Sequence, residues 1–241
     1  MGILYVVPTP VGNLEDMTFR AIKVLKEVDL ILAEDTRTSS VLLKHYDIKN
    51  NLLSHHKFNE HQSLQNIIHK LQTGMNVALI SDAGTPAISD PGFLIVRECV
   101  RNGIKVIALP GPTAFVPAIV ESGIPNDRFC FEGFLPQKKG RLTRMEELKT
   151  EKRTMIFYES PFRIIKTLEL FASIFGQDRK MAAVREISKI HEECVNGTVA
   201  DLISHFTENE PKGEFVLIVA GENNGVKLTK EKNVSKNKYK L

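Results

Sequence analysis

The run LISDAGTPAISDPG, residues 79–92, begins as a buried strand and ends in a loop with two Asp, two Gly and two Pro. Three other strand-like bursts end in comparable turns. PTPVGNLED (8–16) follows the first burst, AEDTRTSS (33–40) the second and PGPTA (110–114) the burst KVIAL. Glycine and proline turns of this kind let main chain, rather than long side chains, approach a ligand. Parallel sheets bind ligands at the carboxyl ends of their strands, so these loops are the candidate site. Gly12, followed by Glu34 about twenty residues on, invites a dinucleotide reading. The remaining glycines of G-x-G-x-x-G are missing, and no G-x-x-x-x-G-K-[ST] loop occurs. Nicotinamide and nucleoside-triphosphate chemistry are therefore disfavoured.

Alternating strand and helix patterns must position these loops, which is the signature of an α/β protein. Strand-like segments are ILYVVP, DLILAED, NVALISD and KVIALP, then FCFEGFLP, TMIFYE, KMAAVREIS and EFVLIVAG. Helical stripes fall in TFRAIKVLKEV, the stretch from Leu64 to Leu71, FLIVRECVRN, TAFVPAIVESG and TVADLISHF. Asn59 or Ser63 is expected to cap the second of these helices, with Gly74 closing it. Asp90 and Pro91 read as N-cap and first-turn residues of the third. Ser160 and Pro161 read as a further helix start. The pattern restarts near Ile124, which divides the chain into α/β domains at 1–122 and 123–221, with a tail at 222–241.

Of the 241 residues, 42% are hydrophobic, in bursts too short to span a bilayer. MGILYVVP lacks a signal peptide's basic start and cleavage site. Cys99, Cys130 and Cys194 show no C-x-x-C spacing, which fits a reducing compartment and argues against a disulfide framework. The expected location is cytoplasmic. The formal charge of +3 resides in the last twenty residues, which hold six Lys against Glu222 and Glu231, leaving residues 1–221 at 26 basic and 27 acidic groups. That tail is expected to be disordered and solubilising, although its lysines could touch RNA phosphates.

PTPVGNLEDMTFRA, AEDTRTS, SDAGTPAISDPG, LPGPTA, DRFCFEGFLP and YESPFR occur in this order. Together they resemble the ribosomal RNA small subunit methyltransferase I family, a branch of the tetrapyrrole methylase fold, over nearly the whole chain up to Gly221. The resemblance implies a class III methyltransferase of two α/β domains with the cofactor, S-adenosyl-L-methionine, in the cleft between them. It also implies a homodimer and 2′-O-methylation of a cytidine in the decoding region of 16S rRNA within the small subunit. Relatives that modify tetrapyrroles carry a GxGPGD-like turn and a later GDP turn. This chain has PTPVGNLED and AGTP there, which counts against a porphyrin substrate.

By the same resemblance, Gly84, Thr85 and Ile88, with Asp82, belong to the cofactor loop, and Thr113 and Ala114 form a second contact. Pro8 would complete the wall through its backbone. Tyr158, Ala183 and the turn Pro211–Gly213 lie where related folds touch the adenine. Methyl transfer to a hydroxyl is an in-line displacement, so alignment lowers much of the barrier, and a proton must still leave the oxygen. Glu34, Asp35 and Glu159 are the candidate catalytic groups, with Asp82 and Glu186 also at strand ends. Arg37 and Arg163 could instead make Glu34–Arg37 and Glu159–Arg163 structural ion pairs.

His55, His56 and His61 with Glu60 in SHHKFNEH lack H-E-x-x-H spacing and are expected at the surface or facing RNA, so no metal site is expected. The basic start of the helix in Lys138–Arg153 could contact rRNA backbone. Two other readings remain: a small-molecule, for instance tetrapyrrole, methyltransferase of the same fold, and a binding protein without turnover.

Overall fold

A computed structural model describes residues 1–56 and 60–222, with only the backbone of Gln62. Asn59, one of the two expected caps, and the lysine-rich tail beyond Glu222 lie outside the described residues. The first unit runs β1 (Ile3–Val6), α1 (Phe19–Glu27), β2 (Leu30–Ala33), α2 (Thr36–His45), β3 (Leu52–Ser54), α3 (Glu60–Gln72), β4 (Val77–Ile80), α4 (Phe93–Arg101), β5 (Lys105–Ala108) and α5 (Phe115–Glu121). Its sheet has the order β3-β2-β4-β1-β5 and every pairing is parallel. Ile31, Leu32, Val77, Ala78, Leu79 and Ile80 are almost wholly buried, as expected of parallel strands covered on both faces.

From β1 the chain crosses β4 to reach β2, and from β4 it crosses β1 in the opposite direction to reach β5. The crevice between the carboxyl ends of β1 and β4 is therefore the topological switch point, where open parallel sheets bind ligands.

The second unit contains β6 (Phe129–Phe134), α6 (Arg141–Leu148), β7 (Thr154–Glu159), α7 (Ile164–Phe175), β8 (Lys180–Arg185), β9 (Glu193–Thr198), α8 (Val199–Glu208) and β10 (Phe215–Val219). The sheet order is β6-β7-β10-β8-β9, with β6 and β7 parallel and the other pairings antiparallel. Period-two alternation gives this sheet two apolar faces. On one face Met155, Phe157, Ala183 and Leu217 pack with Leu168 and Phe171 of α7 and Leu202 of α8. On the other, Ile156, Ala182, Val184 and Ile218 pack with Ala118 and Ile119 of α5. The helix that ends the first α/β pattern thus packs onto the second sheet, and a continuous apolar cluster joins the two units.

Several helix starts differ from expectation. Ser63 lies inside α3, where its hydroxyl is 3.1 Å from His55 Nδ1. The N-cap of α4 is Gly92, at φ +133°, and no side chain caps that end. Asp90 is therefore not a cap: the loop doubles back through a hydrogen bond from the Ala87 amide to the Pro91 carbonyl at 3.2 Å. The N-cap of α7 is Arg163 rather than Ser160. Thr198 caps α8 through a reciprocal arrangement with Asp201.

Candidate functional site

The carboxyl ends of β1, β2, β4 and β5 face the carboxyl ends of β6, β7 and β8 across a cleft of about 530 Å³, a volume suited to a nucleoside-sized ligand. Another hollow, of about 700 Å³, lies at the opposite end of the second sheet, around Arg128, Lys152 and Lys180. None of the switch-point loops reaches it, so the smaller cleft is the functional candidate.

The floor of the cleft is built by backbone. Thr9 and Gly84 form an isolated antiparallel bridge between the loops after β1 and β4. The fully buried Thr9 hydroxyl donates to the Ser81 carbonyl at 3.0 Å. Gly84 sits at φ +77°, a conformation that an L side chain adopts only with strain. The next residue, Thr85, donates its hydroxyl to the Pro112 carbonyl at 3.0 Å, which locks the loop after β4 to the loop after β5. Thr113 and Ala114 line the cleft beyond that contact.

Asp82, Gly84, Thr85, Ile88, Thr113, Ala114 and Tyr158 all border this cleft, as do Glu34 and Glu159. Pro8 lies behind the wall, where a Cβ built on Gly111 would come within 2.7 Å of its ring. Ala183 turns its side chain to the far face of the second sheet, among the α7 and α8 contacts. Gly213 packs against the Glu186 side chain, so the turn Pro211–Gly213 supports the rim instead of lining it. Asp35 is the N-cap of α2, accepting from the Arg37 amide at 2.8 Å and from its guanidinium at 2.7 Å. Those bonds hold its carboxyl down at about 2.

The opposite wall is aromatic. Tyr158 meets Phe131 and Phe134 edge-on at centroid distances of 5.1 and 5.5 Å, and Phe115 stands 5.0 Å from Phe131. Burial pushes the Tyr158 phenol up to about 12, so it stays neutral. Phe134, quoted within DRFCFEGFLP but not assigned there to a site, lies on the cleft. Of these rings Tyr158 and Phe134 line the cleft, backed by Phe131 and Phe115, and such an aromatic surface suits a heteroaromatic base.

Electrostatically the cleft is acidic. Glu34, Asp82, Asp90, Glu159, Glu186 and Glu214 border it, against Lys189 as the one cation among its described lining residues. Lys189 belongs to none of the motifs, and Asp90, although within SDAGTPAISDPG, reads there as a helix cap; the fold brings both here. Lys189 Nζ is 2.8 Å from Glu186 Oε1 and 3.4 Å from Glu214 Oε2. Burial and the neighbouring Asp82 raise the Glu34 pKa. Burial first, then Glu34 and Asp82, push the Asp90 carboxyl up to about 7. Excess negative charge of this sort favours a cationic ligand.

Glu159 is 3% exposed. Its Oε1 accepts from the Ser160 amide at 2.8 Å and from Arg163 Nε at 2.7 Å, and Oε2 accepts from the Thr167 hydroxyl at 2.7 Å. Arg141 Nη2 lies 3.7 Å from Oε2. Such saturation marks a structural node. Among the described residues no group of three or more His, Cys, Asp or Glu could hold a metal ion.

Residues 3–203 match the family of Tetrapyrrole (Corrin/Porphyrin) Methylases. Proteins named ribosomal RNA small subunit methyltransferase I align over almost the whole chain. The one from Synechocystis sp. is 49% identical over 222 residues, 92% of this chain and 80% of that protein. The one from Thermotoga maritima is 48% identical over 92% of this chain and all of its own length.

The chain belongs to the ribosomal RNA small subunit methyltransferase I family of tetrapyrrole methylases.

Solved structures share that fold. A uroporphyrin-III-C-methyltransferase from Thermus thermophilus superposes with a TM-score of 0.64 at 20% identity, covering 91% of this chain and 94% of its own. A diphthine synthase gives 0.72 at 12% identity, covering 91% and 90%. The tetrapyrrole methylase fold expected from the motif order is thus the fold observed. Family membership makes the chain an rRNA methyltransferase. No helix among the described residues is long and apolar enough to cross a membrane.

Proposed function

We propose that this enzyme transfers a methyl group from S-adenosylmethionine to the ribose 2′-hydroxyl of a cytidine in the decoding region of 16S rRNA, acting on the assembled small subunit. The observation that carries the reading is the acidic, backbone-floored cleft at the switch point, in a chain whose close relatives are named for small-subunit rRNA methylation. When bound, the cofactor supplies an electrophilic methyl group on a positively charged sulfur.

The residues present fit such a cofactor. Gly84 offers a floor without a Cβ, and Thr85, Thr113 and Ala114 bring backbone groups towards the amino-acid end. Asp82 and its neighbouring carboxylates favour the ammonium and sulfonium charges. Tyr158 and Phe134 form the wall for the adenine. Holding the nucleophile in line is what the rigid floor achieves, because the loops after β1, β4 and β5 are pinned to one another. Cytoplasmic location and a homodimer complete the proposal on the strength of the family resemblance.

Residues 1–221 are nearly neutral, so this part of the chain carries no strong electrostatic footprint for bare RNA. Recognition then draws on the shape of the subunit, and affinity for free 16S rRNA is expected to be modest and strongly salt-dependent. The deciding experiment supplies methyl-labelled S-adenosylmethionine to unmodified small subunits, to free 16S rRNA and to a tetrapyrrole, and digests labelled RNA with alkali. A 2′-O-methyl group blocks attack on the neighbouring phosphodiester, so an alkali-resistant labelled dinucleotide is the expected product. Label in the tetrapyrrole alone overturns the RNA reading and leaves the fold intact.

A further inference from the structure

The acidic groups bordering the cleft are not equivalent. Glu159 accepts from three donors on its own side of the wall, with the Arg141 charge 3.7 Å away. Glu186 accepts from Lys189 and from the Glu214 amide at 3.1 Å. The Glu214 side chain is largely exposed and sits near the same lysine. Asp82 is exposed and accepts from the Asp35 amide at 3.2 Å. Glu34 accepts from the Asp82 amide. Asp90 and Glu34 are both partly buried, border the cleft and have no ion pair among the described residues. Glu34 accepts a main-chain amide, whereas Asp90 accepts from the Ser81 hydroxyl and sits at the end of a strained loop.

Its placement comes from unusual backbone. Ala87 and Ser89 lie at φ +68° and +65°, conformations that cost a non-glycine residue energy and persist where surrounding structure enforces them. Two close approaches do the enforcing. A Cβ on Gly92 would come within 2.7 Å of Leu79, and one on Gly133 of β6 within 2.9 Å of the Ser89 hydroxyl. The loop is thus wedged between the first sheet and β6, which brings Asp90 to the cleft. The groups facing Asp90 are Ser81 and Asp82 after β4, Glu34 after β2 and Tyr158 of β7, with Lys189 elsewhere on the lining.

We propose that Asp90 is the proton acceptor of the methyl transfer. As the acceptor oxygen forms its bond to the methyl carbon, the carbon–sulfur bond breaks, its electron pair stays on sulfur, and the hydroxyl proton passes to the Asp90 carboxylate. Glu34 acts through Asp90 as a positioning charge and does not touch the proton. The inference rests on the hydroxyl-methylating reading above. Proton acceptors work best with a pKa near the operating pH, and the Asp90 carboxyl stands at about 7.

The test is a rate–pH profile for methyl transfer to unmodified small subunits, with calorimetric S-adenosylmethionine affinity measured alongside. It compares the native protein with Asp90→Asn, Asp90→Glu and Glu34→Gln. The native rate should rise with pH and level off by about 7, the cofactor's positive charge drawing the inflection below the value of the free chain. Asp90→Asn should lose roughly a hundredfold or more in turnover at unchanged cofactor affinity, Asp90→Glu should recover part of it, and Glu34→Gln should move the inflection to lower pH. Full turnover in Asp90→Asn overturns the proposal. So does weakened cofactor affinity with turnover intact, which would make Asp90 a cofactor ligand. Should Asp90→Asn not fold, an unmoved inflection in Glu34→Gln is the overturning result. Failure of the RNA reading shows separately, as absence of labelled ribose with the native protein.

Discussion

Thr9 and Gly84 exchange both backbone hydrogen bonds, each 2.9 Å long, and so fasten the loop after β1 to the loop after β4. The bridge spans the switch point and fixes the floor on which a cofactor would lie. Its geometry depends on Gly84 at φ +77°. A β-branched residue there is strained by at least 1–2 kcal/mol, or roughly tenfold in an equilibrium. Gly84→Val should therefore weaken S-adenosylmethionine binding about tenfold or more while leaving the second sheet's fold intact. Isothermal calorimetry with circular dichroism checks both parts. Native affinity in a folded variant would separate the bridge from the cofactor site.

Thr85 tests the same floor from its open side. Its side chain borders the cleft and donates to Pro112. Thr85→Arg loses that hydrogen bond and fills the space with a cation beside the expected sulfonium charge. Saturable cofactor binding should disappear in calorimetry, with the thermal midpoint shifted little. Retained affinity removes Thr85 from the site.

Glu159 is expected to matter for stability more than for chemistry. Glu159→Gln leaves Arg163 and Arg141 facing a neutral amide in a buried pocket. Removing one partner of a buried ion pair costs about 3–5 kcal/mol, and the retained carbonyl acceptor should bring this nearer 2 kcal/mol. Urea unfolding should show a lower midpoint at unchanged slope. Turnover measured well below the transition should stay within a few-fold of native, and a loss of hundredfold would return Glu159 to the candidate bases.

Much of the fold is legible in the sequence because buried parallel strands appear as short apolar runs between amphipathic helices. Elements with weak local signals are not. The α2 stretch TRTSSVLLKH opens with Thr and Ser, poor helix formers, and the Asp35 cap becomes visible only once the helix is seen. In β9 the sequence ECVNGT contains Asn-Gly, a turn signal, yet that strand pairs with β8 along its whole length. Strand order depends on long-range pairing and leaves no local trace. The loops that line the cleft are recognisable through their motifs, whereas Ala183 illustrates how alternation decides a face: its neighbours Ala182 and Val184 point towards α5 and it does not. Asp90 reads as a helix cap because Asp-Pro fits that pattern, and only the reversal of the loop reveals another place for it.

That placement has a thermodynamic consequence. The Asp90 carboxyl stands at about 7 in the folded chain, against 3.8 for an unperturbed Asp. Between those values the folded state holds a proton that the unfolded state has released, so stability falls as pH rises through this window. The contribution is fully present below 3.8 and lost above about 7. Asn carries no such charge, so Asp90→Asn should raise the thermal midpoint above neutrality and leave it nearly unchanged under acid conditions. A gain of stability together with a loss of turnover is the trade expected of a strained functional group. Differential scanning calorimetry at acid and alkaline pH measures the difference. An equal midpoint in both proteins at alkaline pH would mean that the Asp90 carboxylate is solvated as well in the fold as in the open chain.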